Sequence, residues 1–242
     1  MPQFFEGDFL SIKVLIFDKD GTLTDSSLFW KNFSSGVARD ILESLKLAKK
    51  EEILADLMEI VGFRKDGSII PESIVVSGTS NDIIDGWIAY FKNININLDR
   101  ADLYNRFQRD FRYGKVVPLY DSIPEIFKYY YEKGYKLALA TSDNYDSCLY
   151  CCKELGIDSY ISVIASKDRV ERPKPHPDSM EYICKELGVE PYECIMIGDS
   201  ANDMIFASYS GCEGIFLKNS DQKPEIAKYH IKNIKEIYNI IK

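Results

Sequence analysis

The chain has 242 residues, 45% hydrophobic and 28% charged, which suffices for one large domain or a core with a smaller insert and excludes a disordered chain. A net charge of −8 and a pI near 5.0 exclude the positive field that extended nucleic-acid or anionic-membrane binding requires, while leaving room for a local basic pocket. MPQFFEGDFLSIK lacks the basic start of a signal peptide, and no apolar run approaches the ~20 residues of a membrane span, so a cytoplasmic protein with reduced cysteines is expected.

In chain order the first element is an apolar strand, Ile12–Phe17, which ends against Asp18 and Asp20 on either side of Lys19. Like charges so close repel, so the pair implies a bound cation, a shared proton or plain exposure. An EF-hand is excluded, because DKDGTLTD places its glycine fourth rather than sixth and Phe29 stands at the twelfth position. The next hundred or so residues read mainly as helices: Leu28–Leu47, Lys49–Val61, Asn81–Phe91 and Leu98–Arg112. Between the second and third of these, GFRKDGSIIPESIVVSGTS predicts a hairpin or an extended loop. So long a departure from the first strand implies a separate helical insert, 26–117, in a core formed by 1–25 and 118–242.

Beyond the insert, a helix capped by Asp121 and ending at Gly134 opens an alternation of strands and helices. The strands are Tyr135–Thr141, Tyr160–Ala165, Cys194–Asp199 and Gly214–Leu217, and the helices between them stop at Gly156 and Gly188. This rhythm predicts an α/β fold, a parallel sheet with helices on both faces. Cys148, Cys151 and Cys152 in CLYCC lack a second CxxC, and only His176 and His230 could join them, so small apolar residues on a helix are expected rather than a zinc site.

Open parallel sheets bind ligands at the carboxyl ends of their strands. Those ends carry Asp18 and Asp20, then Thr141 and Ser142, then Lys174 in the proline-stiffened ERPKPHPD loop, then Asp199 and Asp203 in GDSANDM. Each alone reads as a cap, a turn or a solvated lysine. Acids, hydroxyls and an ammonium in this order along one edge read as a site.

The same segments resemble the haloacid dehalogenase superfamily of phosphotransferases. DxDGT(L/V) is Asp18-Lys19-Asp20-Gly21-Thr22-Leu23, the Thr or Ser after an apolar strand is Thr141, the lysine of KPxP is Lys174, and GDxxxD runs from Gly198 to Asp203. The insert resembles the helical cap of the phosphoglycolate phosphatase and phosphoglucomutase branch. The resemblance implies a Rossmann-like core with an inserted, mainly helical cap, and a Mg²⁺-dependent phosphatase. Mg²⁺ would be held by Asp18, Asp199 and the backbone carbonyl of Asp20. Asp18 would be the nucleophile and Asp20 the acid and base, with Thr141, Ser142 and Lys174 on the phosphoryl group. Asp203, and with it Asn202, would orient Lys174 or the metal's waters.

For the cap, Thr79 or Ser80 at a helix start, with Arg64 and Lys65 upstream, reads either as an anion site or as an ordinary capped helix beside a solvated turn. The expected partner is a small phosphorylated metabolite such as phosphoglycolate, without nucleic acid or membrane. Oligomeric state is not legible. A phosphomutase shares every signature, and an inactive binding protein on the same fold is the alternative of another class. A dehalogenase does not use the second acid, Asp20, and nothing marks Lys31 or Lys46 as the Schiff-base lysine of a phosphonatase.

Overall fold

The computed structural model describes residues 11–77, 79–109 and 114–242. The chain divides into two compact units, Ser26–Val117 and the remainder up to Asp25 with Pro118–Lys242.

The second of these is a six-stranded parallel sheet in the order β3-β2-β1-β4-β5-β6. Its strands are β1 (Val14–Phe17), β2 (Lys136–Ala140), β3 (Ile161–Ala165), β4 (Cys194–Gly198), β5 (Glu213–Leu217) and β6 (Tyr229–Ile231). Residues alternate between the sheet's two faces. Val14, Ile16, Ala138, Ala140, Cys194 and Met196 pack on one side with Met180, Ile183, Phe206 and Ala207. Those last four belong to α8 (Asp178–Leu187) and α9 (Ala201–Ser210). Phe17 faces the other way and meets Phe127 of α6 (Ile123–Glu132), their ring centroids 4.7 Å apart. With α7 (Tyr145–Glu154) against β3, both faces are covered, the Rossmann-like arrangement.

The register sets the functional edge. Phe17 is level with Leu139 on one side and Ile197 on the other, so Asp18, Thr141 and Asp199 leave the sheet together. The chain runs outward from β1 to β3 and then returns to β4, so the direction of winding switches between β1 and β4. Ligands of open α/β sheets bind at such a point.

The helical unit contains α1 (Ser26–Ser44), α2 (Lys50–Val61), the one-turn α3 (Ile74–Ser77), α4 (Ser80–Asn93) and α5 (Arg100–Arg109). It has its own core of Phe33, Val37, Ile41, Leu57, Ile84, Trp87, Phe91, Leu103 and Phe107. Trp87 is fully buried and donates its indole N–H to the Leu57 carbonyl at 3.1 Å. Among the described residues no helix is long and apolar enough to cross a membrane.

Several boundaries differ from the sequence expectation. α1 ends at Ser44 rather than Leu47, because the backbone turns left-handed at Lys46 (φ 51°). Ser122, not Asp121, caps α6, and without a side-chain bond. The expected hairpin or loop is present as an antiparallel bridge of Phe63 with Ile69, and what the expectation lacked is the one-turn α3 that follows. The expected end of the helix at Arg112 lies outside the described residues. β6 went unforeseen: three residues between Lys228 and Lys232 give too short an apolar run to read.

Trp87→Ala should destabilise the helical unit by about 3–5 kcal/mol, since it removes a fully buried ring and its hydrogen bond to the Leu57 carbonyl. Urea unfolding followed by far-UV circular dichroism measures this, and a loss below about 1 kcal/mol would show that the unit does not depend on this core.

Candidate active site

A hollow of about 200 Å³ at the carboxyl edge of the sheet is lined by Asp18, Asp20, Thr141, Ser142, Lys174, Asp199, Ser200, Asn202 and Asp203. At its floor the ammonium of Lys174, 5% exposed, donates to Asp18 Oδ1 at 2.7 Å and to Asp203 Oδ1 at 2.6 Å. Asp203 spends its other oxygen on Ser200, accepting from its backbone N–H at 3.1 Å and its hydroxyl at 2.6 Å in the capping box that starts α9. The same aspartate therefore caps a helix and fixes a buried lysine.

Glycine makes the convergence possible in two places. Gly21 has φ +84°, and a Cβ there would lie 2.6 Å from the Asp199 carboxylate. A Cβ on Gly198 would fall 2.4 Å from Asp203 Cγ. The loop after β1 is a tight turn in which Leu23 and Thr24 both return backbone bonds to Lys19 O.

Charge in the hollow is unbalanced. Burial pushes the Asp18 carboxyl up to about 7; Lys174 opposes the shift, while the charges of Asp203 and Asp20 reinforce it. Asp199 is also raised, first by burial and then by Asp203. Asp18, Asp199 and Asp203 each bring an oxygen within 4.8 Å of the others. Hard oxygen donors carrying excess negative charge fit a divalent cation such as Mg²⁺. Lys218 supplies a further positive charge 3.6 Å from Asp199 Oδ2.

Sequence reasoning missed a second charged cluster behind Asp20. The side chain of Lys19 is 6% exposed, with its ammonium 2.7 Å from Asp20 Oδ1 and 3.2 Å from Asp143 Oδ2. Burial alone would lower its pKa, but the two carboxylates more than reverse that and hold it well above the usual lysine value. Asp143 is braced in turn: its carboxylate accepts from the Ser147 hydroxyl at 2.6 Å and from Asn144 N at 2.8 Å, and its own N–H donates to Thr141 Oγ1 at 3.1 Å. The readable signal was a lysine between two acids just past the end of a buried strand.

The residues expected to select substrate lie in the helical unit. Thr79 is the N-cap of α4, and its hydroxyl and N–H are bound to Asp82 in a closed capping box, with Ser80 beginning the helix. Arg64 donates to Ser68 Oγ at 3.4 Å and Ile69 O at 3.1 Å, bracing its own loop. It also lines a hollow of about 410 Å³ with Lys31, Arg39, Glu51 and Lys65. That hollow is larger than the one at the sheet edge, yet the acids and the buried lysine lie in the smaller.

The raised Asp18 carboxyl has a measurable consequence. The folded chain holds a proton that the unfolded chain releases near 3.8, so the contribution of Asp18 to stability falls as pH rises from 3.8 through about 7. Asp18→Asn cannot titrate, so in the presence of a chelator it should gain stability relative to the unaltered protein across that window. Urea midpoints at both ends of the window test this, and a constant gap would contradict the charge balance described.

The haloacid dehalogenase-like hydrolase family model matches residues 12–211. Pyrophosphatase PpaX of Listeria monocytogenes is 30% identical over 112 residues, 45% of this chain and 52% of the relative. The matched stretch thus spans about half the length of the first curated relatives. A relative from Caldanaerobacter subterraneus that carries the PpaX pyrophosphatase name provisionally is 24% identical over 239 residues, 96% of each chain. Among solved structures, a predicted phosphoglycolate phosphatase from Haemophilus somnus superposes with a TM-score of 0.62 at 21% identity, over 95% of this chain and 98% of the other. At that identity the likeness establishes the fold. With the family model covering both ends of the sheet edge that carries the acids and the lysine, the chain belongs to the haloacid dehalogenase-like hydrolase family.

Proposed function

We propose that the protein is a phosphatase of small phosphate monoesters working through an aspartyl-phosphate on Asp18. The observation that carries this reading is the buried Lys174 ammonium bridging Asp18 and Asp203 in the hollow that also takes in Asp20, Thr141 and Asp199. A phosphate monoester is a dianion that repels nucleophiles, so catalysis needs a fixed carboxylate nucleophile, compensating positive charge and a proton for the leaving group. All three requirements have residues available in one hollow.

In this reading Asp18 attacks phosphorus, and the leaving oxygen takes a proton from Asp20 as its bond to phosphorus breaks. Asp20 then accepts a proton from the water that attacks the aspartyl-phosphate. The Thr141 hydroxyl and the Ser142 backbone N–H bind phosphoryl oxygens, while Lys174 offsets charge on the phosphoryl group and on Asp18. Asp203 aims Lys174 and Asn202 stands beside it. Asp18, Asp199 and the Asp20 carbonyl would hold Mg²⁺, which when bound neutralises phosphoryl charge.

We assign the choice of leaving group to the helical unit 26–117 acting as a cap, with Arg64 as its cation; of the expected helix-start residues Thr79 and Ser80, Thr79 already spends its hydroxyl and N–H on Asp82. Phosphoglycolate is the favoured substrate. Pyrophosphate is the second, on the strength of the relatives' names. A panel of phosphate esters with pyrophosphate, reading released phosphate, separates the two. Isomerisation of a sugar phosphate without free phosphate would make the protein a mutase instead. No release from any ester, with or without Mg²⁺, would make it a binding protein.

Asp18→Asn should reduce p-nitrophenyl phosphate turnover by about 10³-fold or more while folding normally; unchanged turnover would overturn the nucleophile. Asp20→Asn should lose most steady-state turnover yet keep Mg²⁺ affinity, and Asp199→Ala should lose that affinity. Calorimetric titration with Mg²⁺ distinguishes them, and equal loss of affinity in both variants would show that the roles are confused.

A further inference from the structure

The proposed mechanism leaves one buried charge cluster without a task, Lys19 with Asp143. A lysine here is costly, because its side chain is almost wholly withdrawn from water; Asp20 and Asp143 are the carboxylates beside it. The two carboxylates differ in how they are held. Asp143 is anchored by Ser147, by Asn144 and by its own bond to Thr141. Asp20 is 35% exposed at the hollow, and the donors that reach its carboxylate, Lys19 at 2.7 Å and the Thr24 hydroxyl at 3.3 Å, both meet Oδ1. Oδ2 is thereby left as the oxygen to exchange a proton.

The geometry points to Lys19 as a positioning residue for proton transfer: its buried ammonium, tethered by Asp143, grips Asp20 by Oδ1 and so reserves Oδ2 for the leaving group. This inference rests on the reading of Asp20 as the general acid. The step is one in which the O–H bond at Asp20 Oδ2 breaks, its proton passes to the departing oxygen, and that oxygen keeps the electron pair of the broken P–O bond. Without the grip, the carboxyl group rotates about its own bond and samples orientations in which neither oxygen serves. Asp143 also joins this cluster to Thr141, so the acid and one phosphate-binding hydroxyl share a single brace.

An acid matters most when the leaving group is a poor one, and this separates positioning from bulk structure. Single-turnover release of alcohol, with enzyme in excess, reads only the first half-reaction. Benzyl phosphate and p-nitrophenyl phosphate are of similar size, but only the benzyl alkoxide needs a proton to depart. Lys19→Met should slow benzyl alcohol release by about 10- to 100-fold and p-nitrophenol release by less than about 3-fold. Because that variant strands a buried Asp143, the double variant Lys19→Met with Asp143→Asn, which removes both charges, is measured beside it and should show the same selective loss. Asp20→Asn is the reference. If Asp20→Asn is selective while the foldable Lys19 variants slow both esters equally or neither, the positioning role is overturned alone. If Asp20→Asn slows both esters equally, the acid assignment falls and takes the positioning role with it.

Discussion

The Lys174 ammonium, buried between Asp18 and Asp203, ties together three segments that are far apart in the chain: the end of β1, the proline-stiffened loop before α8, and the first turn of α9. Removing the lysine would leave buried carboxylates without their compensating charge, a loss of about 3–5 kcal/mol. An apolar replacement of the whole cluster could pack as well or better, so stability does not account for its presence. What the cluster supplies is a carboxylate held at a strand end on the lining of a polar hollow, with Oδ1 engaged by the lysine. The sheet provides the frame, since the register that levels Phe17 with Leu139 and Ile197 brings the loops to a common edge.

Around that bridge the electrostatics are deliberately unbalanced. The buried Lys174 and the more exposed Lys218 face three acids, Asp18, Asp199 and Asp203, and burial raises both Asp18 and Asp199. Gly21 and Gly198 permit the crowding, because any side chain there would overlap the carboxylates of Asp199 and Asp203. Excess negative charge held by rigid backbone is the condition under which a divalent ion binds. Lys19 forms a second cluster on the other side of Asp20, shared between Asp20 and Asp143, so the two acids that flank it stand in different surroundings: Asp18 almost buried beside Asp203 and Lys174, Asp20 partly exposed and paired with Lys19. Two carboxylates whose environments diverge in this way suit different chemical tasks.

Much of this was legible in the sequence where the signal was local. An unbroken apolar run ending in Asp18, the alternation after Tyr135, and Gly188 as a helix stop all specify structure within a few residues. What escaped depended on contacts across the fold. β6 is only three residues long and exists because β5 offers it an edge. The turn at Lys46 uses a left-handed lysine, which no composition rule marks. The partnership of Lys19 with Asp143 joins residues 124 positions apart, 143 minus 19, and neither looks unusual until both are seen to be buried together. Thr79, by contrast, was legible as a helix start, yet the closed capping box with Asp82 occupies the hydroxyl that anion binding would use.

In the proposed reaction the phosphoryl group passes through Asp18. Acid quench of the enzyme during turnover of p-nitrophenyl phosphate, followed by peptide mass spectrometry, tests it directly. A phosphate adduct is expected on the peptide containing Asp18, lost when the quench is delayed until substrate is spent. A phosphate adduct on another residue, or rapid turnover with none on Asp18 at any quench time, would contradict it.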